Sequence, residues 1–207
     1  MGPQILDITR RYRADFVISH LFGRAPSVSL KEFKRAGYPL DKILGFVWAG
    51  SEGDIQAAGG NEAAEGYNTM HFAGVGQDYP VIQQIKDMYK ANGKGDPDAM
   101  QYTAYYNRGV FQAAVHIKAI ENAVKAKGSC DVSGEQVRDG FYQIKDFTLG
   151  GLLPPLQITK KDHEGGGWVR VFQVTKSGYK PVTEWYRDYR HEVSELLIEE
   201  IEKAAKK

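Results

Sequence analysis

Apolar positions in the first third of the chain gather into short runs divided by one stretch of helical period. Residues 14–20 form a β-rich run, 26–37 have helical spacing with a glycine stop, and 42–48 form a second buried-strand run. Gly50-Ser51-Glu52-Gly53 follows at once. Strand, helix, strand in this order predicts parallel pairing, because a parallel partner is reached through a crossover. Both strand ends then share one sheet edge, where open α/β sheets bind ligands. A short helix over 51–58 and a third strand over 65–72 continue the alternation. Residues 4–12 read as a helix with Ile5 and Ile8 on one face, although no earlier strand precedes it to give it a crossover role.

Past Gly74 the period changes. Asp78-Tyr79-Pro80 is a helix entrance, and Val81, Ile82, Ile85, Met88 and Tyr89 space out as one helical face. After a turn at 92–97, the longest helix is predicted over 98–127, with Val110, Ala113, Ala114, Ile117, Ile120 and Val124 as its apolar stripe. Ser133 caps a short amphipathic helix to 144. Gly150-Gly151 and Pro154-Pro155 then introduce two β-like runs, 156–159 and 168–175, with a second turn at 176–179. From 183 the tail is predicted helical, burying Val193, Leu196, Leu197, Ile201 and Ala204.

Composition narrows the function classes. The 207 residues are 42% hydrophobic and 26% charged with a net charge of +1, so neither a basic stripe nor an acidic tail argues for nucleic acid. No apolar run approaches the length of a membrane span. Met1 to Asp7 lacks the basic and apolar regions of a signal peptide, so no export address is expected within this chain. Cys130 is the sole cysteine, which excludes an intrachain disulfide and a cysteine cluster; a free structural thiol is its expected state. The histidines show no metal-ligand spacing, so neither metal nor cofactor is expected.

The order of elements resembles a known family. Ala14-Asp15-Phe16-Val17, Ala36-Gly37-Tyr38, Ala64-Glu65-Gly66-Tyr67, Tyr105-Tyr106-Asn107-Arg108-Gly109, Gly150-Gly151 and Asp162-His163-Glu164-Gly165 together resemble the later half of the extracytoplasmic solute-binding proteins of branched-chain amino acid ABC transporters. The resemblance covers nearly all of 4–186 and implies an α/β fold of type I periplasmic-binding character. Its parallel sheet with flanking helices would be incomplete here, with a C-terminal β-hairpin and terminal helix added. Residues 1–76 would belong to lobe two, 77–153 to the later part of lobe one, 154–182 to a β segment returning to lobe two, and 183–207 to the C-terminal helix. Family members are longer, so a chain shortened at its N-terminus is expected. Such a chain would expose apolar surface and form a homodimer or larger assembly.

The resemblance also implies a ligand, an amino acid or related small carboxylate held between lobes, an ABC permease as partner, and a periplasmic or extracytoplasmic location. It assigns the ligand's ammonium to a carboxylate after the strand ending at Trp48, which makes Glu52 the expected contact and Asp54 its rival. Capping of the following helix is the competing role for Glu52. Ser19, His20 and Phe22 lie at the same rim, as side-group contacts or as ordinary loop packing. Trp48 could form an apolar wall, although core packing is the commoner role of such a tryptophan. Groups holding the ligand carboxylate would come from the first lobe, so half a site is expected in this chain. Tyr105, Tyr106 and Phe111 could suggest an aromatic cage but sit at core-like helical spacing. A sensing domain of the same fold is one alternative. A flavodoxin-like α/β enzyme is another, weakened because Asp162-His163 has no serine elbow near it and Gly165-Gly166-Gly167 leads into no helix. No catalytic residue is expected.

Overall fold

The structure, a computed structural model, describes residues 1–205. Helix α1 (Gly2–Leu6) runs into one wide turn at Asp7–Arg11, then strand β1 (Val17–Ser19), helix α2 (Ala25–Arg35), strand β2 (Ile43–Gly45), helix α3 (Glu52–Ala58) and strand β3 (Asn68–His71). Two crossovers therefore lay β1, β2 and β3 side by side and parallel, with Val17 opposite Ile43 and Leu44 opposite Asn68. Strands β4 (Arg170–Thr175) and β5 (Gly178–Pro181) complete the sheet in the order β1-β2-β3-β4-β5, both antiparallel to their neighbours. The expected hairpin is thus β4–β5, closed at Lys176-Ser177.

One face of the sheet is packed. Ile5, Leu30, Phe33, Ile43, Ile55 and Val174 bury there around Tyr67. Tyr67 lies so close beneath β2 that its hydroxyl donates to Ala49 O at 2.6 Å, and a Cβ at Gly45 would collide with that hydroxyl. Glycine at 45 is therefore a packing requirement.

Helices α4 (Pro80–Asn92), α5 (Thr103–Lys127) and α6 (Gly134–Phe141) form a second body. Its core joins Ala73, Val115, Ala119, Ile144, Leu152, Leu153, Leu156 and Ile158. Helices α5 and α6 meet closely at Gly140, where a Cβ would strike the carbonyl of Ala119. Ser133 opens α6 through a reciprocal capping box with Gln136, and Pro80 stands in the first turn of α4.

Several expectations are corrected. The strands are shorter than the apolar runs: Phe16 is outside β1 and exposed. Residues 156–159 form no strand; Leu156 makes a single bridge to Phe147. On α5 the inward face carries Ala104, Asn107, Arg108, Val115, Ala119 and Ala123, while Ile117 and Ile120 are exposed, because α6 approaches too closely for large side chains. Helix α7 (Arg190–Ala205) starts later than predicted, since Tyr186 is held in a bridge to Val169. Its Val193, Leu196, Leu197 and Ile201 are exposed and belong to neither core. No helix among the described residues is long and apolar enough to cross a membrane.

Candidate functional site

Three parallel strands end on the same side of the sheet, and the start of α5 meets them there. Ser19, the last residue of β1, is buried; beyond it His20 stacks edge-on against Phe46 with ring centroids 5.1 Å apart, and Phe22 is exposed. After β2 the chain passes Trp48, half exposed, whose indole lies 6.4 Å from the Tyr105 ring in a stacked arrangement. After β3 come Phe72 and the crossing segment, held to α5 by Asn107, whose amide donates to Gly74 O at 2.8 Å and Gly76 O at 2.9 Å.

The two acids of the loop after β2 are engaged differently. Asp54 belongs to the capping box of α3: it accepts from the Ser51 hydroxyl at 2.7 Å and the Ser51 N–H at 3.1 Å, while its own N–H donates to Ser51 Oγ at 3.3 Å. Glu52 sits in the first turn of α3 but serves another helix. Its carboxylate accepts the Thr103 hydroxyl and, at 3.1 Å, the Ala104 N–H, so it closes the N-terminus of α5. A carboxylate at a helix N-terminus gains from unpaired N–H groups and from the dipole. Thr103 Oγ1 also accepts the Gly76 N–H at 2.8 Å, tying strand ends, crossing segment and helix into one corner.

One turn further along α5, Arg108 reaches back to the sheet. It is only 6% exposed. Its Nη2 donates to Val47 O at 2.7 Å and lies 3.1 Å from His71 Nδ1. Aromatic faces surround the guanidinium, with Phe72 at 4.5 Å, Tyr105 at 5.3 Å and Trp48 at 5.4 Å to the ring centroids. Burial lowers the Arg108 pKa from its ordinary value, opposed by Tyr105 and Glu52. Burial, then the neighbouring guanidinium, takes the His71 pKa down to about 3, so the ring is neutral. Nδ1 must then accept from Arg108, which leaves the proton on Nε2 to reach Thr69 Oγ1 at 2.9 Å. Thr69 passes its hydroxyl hydrogen to Phe172 O on β4 at 3.3 Å. Sequence reading named none of this chain of contacts. Arg108 stands in the motif Tyr105-Tyr106-Asn107-Arg108-Gly109 and in the series Ala104, Arg108, Phe111, Val115, Ala119, a period that turns a charge inward.

Two cavities flank this corner. One, of about 800 Å³, is polar and bordered by Glu52, Gln56, Asn61, Gln77, Thr103 and Tyr179. The other, of about 330 Å³, is apolar and bordered by Val47, Phe72, Phe111, Leu153, Leu156 and Trp168. Phe111 thus lines a cavity and Tyr105 meets Trp48, whereas Tyr106 turns to Tyr89, hydroxyl to hydroxyl at 3.2 Å. Asp162 accepts from Gly165 N at 3.1 Å, and His163 Nε2 stands 3.4 Å from the Tyr142 hydroxyl. Both are remote in sequence from the strand-end corner and share no serine.

The model of the periplasmic binding protein family matches residues 2–179. The chain belongs to the periplasmic binding protein family.

Solved structures share the fold. A crystal structure described as an ABC transporter permease from the Pseudomonas fluorescens group shares 30% identity at a TM-score of 0.87, over 99% of this chain and 51% of that one. A branched-chain amino acid ABC transporter protein from Thermus thermophilus with bound valine shares 22% identity at 0.73, over 91% of this chain and 50% of that one. A solute-binding protein of an ABC transporter from Rhodopseudomonas palustris HaA2, in complex with p-hydroxybenzoic acid, shares 16% identity at 0.64, over 90% and 48%. This periplasmic binding protein chain therefore spans about half the length of the solved structures it matches. No curated protein matches it.

Proposed function

We propose that this chain is part of an extracytoplasmic solute-binding protein serving an ABC importer, binding an amino acid or related small carboxylate without catalysing a reaction. The observation that carries the reading is the convergence of the carboxyl ends of β1, β2 and β3 on the first turns of α5, with cavities on both sides of the junction. Open α/β sheets place their ligands at this edge. Valine and p-hydroxybenzoic acid, held by two of the solved relatives, are both carboxylic acids, which favours that ligand class.

Glu52 borders the polar cavity, and a carboxylate offers about four lone-pair sites, more than Thr103 and Ala104 take up. It is the proposed contact for a ligand ammonium, with Asp54 next in line although tied to Ser51. Ser19, His20, Phe22 and Trp48 form the proposed rim. Closure would swing the helical body against the sheet body about the crossing segments, and the closed form would dock on the permease.

The test is calorimetric titration of this chain with the standard amino acids and a set of short carboxylates. Saturable binding at one site per chain, with dissociation constants of roughly millimolar size, is expected of half a site. Micromolar affinity would overturn the half-site part of the reading. No saturable heat with any compound would overturn the ligand class.

A further inference from the structure

We propose that a third cavity, at the C-terminal end of α4, binds a phosphomonoester with an apolar body, held by Lys86, Lys90 and Lys94. It lies in the helical body and shares no lining residue with the two cavities at the strand-end corner, so it stands apart from the solute-binding reading.

The cavity holds about 580 Å³, within the range of small-molecule sites. Its floor is Tyr89, Pro97 and Met100, the last only 2% exposed. Its rim is cationic. Lys86 and Lys90 are four positions apart on α4 and share a face, and Lys94 follows Gly93, the left-handed residue that ends the helix. No acid among the described residues borders the cavity. Asp96, the acid nearest Lys94 in sequence, is spent on the N–H groups of Asp98 and Ala99 at 3.1 and 3.2 Å.

These lysines lack the partners that other surface cations of the chain have. Arg35, Lys118, Arg138 and Lys203 each meet a glutamate three residues away on their own helix. Lys90 and Lys94 make no side-chain hydrogen bond or ion pair among the described residues, although Asp87 stands one turn before Lys90. Lys86 gives one of its three donors to Gln77 Oε1, a neutral acceptor, and Gln77 is fixed in turn by donating to Met100 O at 2.8 Å. The helix dipole rewards a cation in the last turn, which accounts for Lys90 alone. Like charges at i and i+4 repel, so Lys86 beside Lys90 weakens the helix, and an anion between them relieves that repulsion.

The seat is pre-formed. The Tyr89 hydroxyl meets that of Tyr106 at 3.2 Å, and the backbone of Gly95 lies on the Tyr89 ring, where a Cβ would collide with it. Gly95 has φ +117°, so glycine is required there on both counts. A phosphomonoester brings roughly two negative charges and three acceptor oxygens at neutral pH, which suits three ammonium groups better than a carboxylate does. Lysine meets phosphate as a point charge, so no bidentate geometry is needed. The floor of tyrosine, proline and methionine suits an apolar group on the ester oxygen rather than bare phosphate.

Calorimetry at neutral pH and fixed ionic strength compares phenyl phosphate, monoanionic phenyl sulfate and inorganic phosphate on this chain. Phenyl phosphate is expected to bind at one site, at least about tenfold more tightly than either of the others. Equal affinity for phenyl sulfate overturns the dianion site, and equal affinity for inorganic phosphate overturns the apolar seat. Lys90→Gln with Lys94→Gln, both exposed and in neither core, is expected to weaken phenyl phosphate at least about tenfold. Lys90→Arg with Lys94→Arg keeps the charge and is expected to stay within about threefold. Unchanged binding by the glutamine pair overturns the assignment. Location is read from the Met100 methyl resonance, identified by its loss in Met100→Leu. A saturable shift with phenyl phosphate is expected, and constancy while heat is released places the ligand elsewhere and overturns the site. Vesicles of phosphatidic acid in phosphatidylcholine separate the two sources of a phosphate group. Sedimentation of the chain with them, without heat from phenyl phosphate, would give the lysines to a lipid headgroup and overturn the soluble ligand. Silence toward every phosphate probe overturns the proposal, while the amino acid titration decides the solute-binding reading separately.

Discussion

The two cavities beside the first turns of α5 are built on opposite principles. On the polar side the charged group, Glu52, is met by a hydroxyl and a backbone N–H, so its charge is already used to close a helix. Behind the wall of the apolar side a second charged group, Arg108, is buried under aromatic faces with two acceptors at one nitrogen. The first arrangement still borders open space. The second faces neither cavity. An acid at the edge of open space and a base sealed under rings therefore ask for different tests, of binding for Glu52 and of stability for Arg108.

The contrast can be tested from its strongest consequence downward. Leu153→Ala removes a fully buried side chain that both supports the helical core and walls the apolar cavity, and about 2–5 kcal/mol of stability should go with it in urea unfolding. A loss below 1 kcal/mol would mean that the cavity wall collapses freely and has no fixed shape.

The next effect is a pH slope set by His71. Its folded pKa of about 3 lies below the ordinary value of 6.5, so the unfolded chain takes up the proton first. Its contribution to stability is complete above about pH 6.5 and is lost as pH falls toward 3, at about tenfold in the folding equilibrium per pH unit. His71→Gln should flatten the measured slope by one proton across that window. An unchanged slope would remove the neutral-ring description and with it the directed chain from Arg108 to Phe172.

Glu52→Gln keeps an acceptor but removes the charge at the start of α5. A loss of about 1.5–3 kcal/mol is expected, the range for hydrogen bonds to charged groups. If stability is unchanged while carboxylate binding disappears, Glu52 serves the ligand and not the helix. Ser51→Ala, which breaks only the α3 capping box, should cost about 0.5–2 kcal/mol and leave the hold of Glu52 on α5 intact.

How much of this was readable in the chain depends on the range of the interaction. Local signals carried well: Pro80 and Ser133 start helices, and the alternation through residues 14–72 produces parallel β1, β2 and β3. Strand lengths did not, because Phe16 extends an apolar run without finding a partner. The stripe on α5 was misplaced since alanines, not isoleucines, suit the close approach of α6 at Gly140. The tail shows the limit of period reading: α7 is amphipathic, but amphipathicity does not say what covers it. At the site, Glu52 was visible from its place after a strand, whereas its partners Thr103 and Ala104 lie about fifty positions on. The join of Thr69 to Phe172 spans about a hundred. Only the fold brings such residues together, and no local pattern announces them.

Cys130 acquires a use from its position. It is exposed on the loop after α5, it belongs to the helical body, and no second thiol competes with it anywhere in the chain. A single fluorophore or spin label can therefore be attached at one defined address without mutagenesis. From that address, movement of the helices against Trp48, Trp168 and Trp185 together can be read as energy transfer while solute is added.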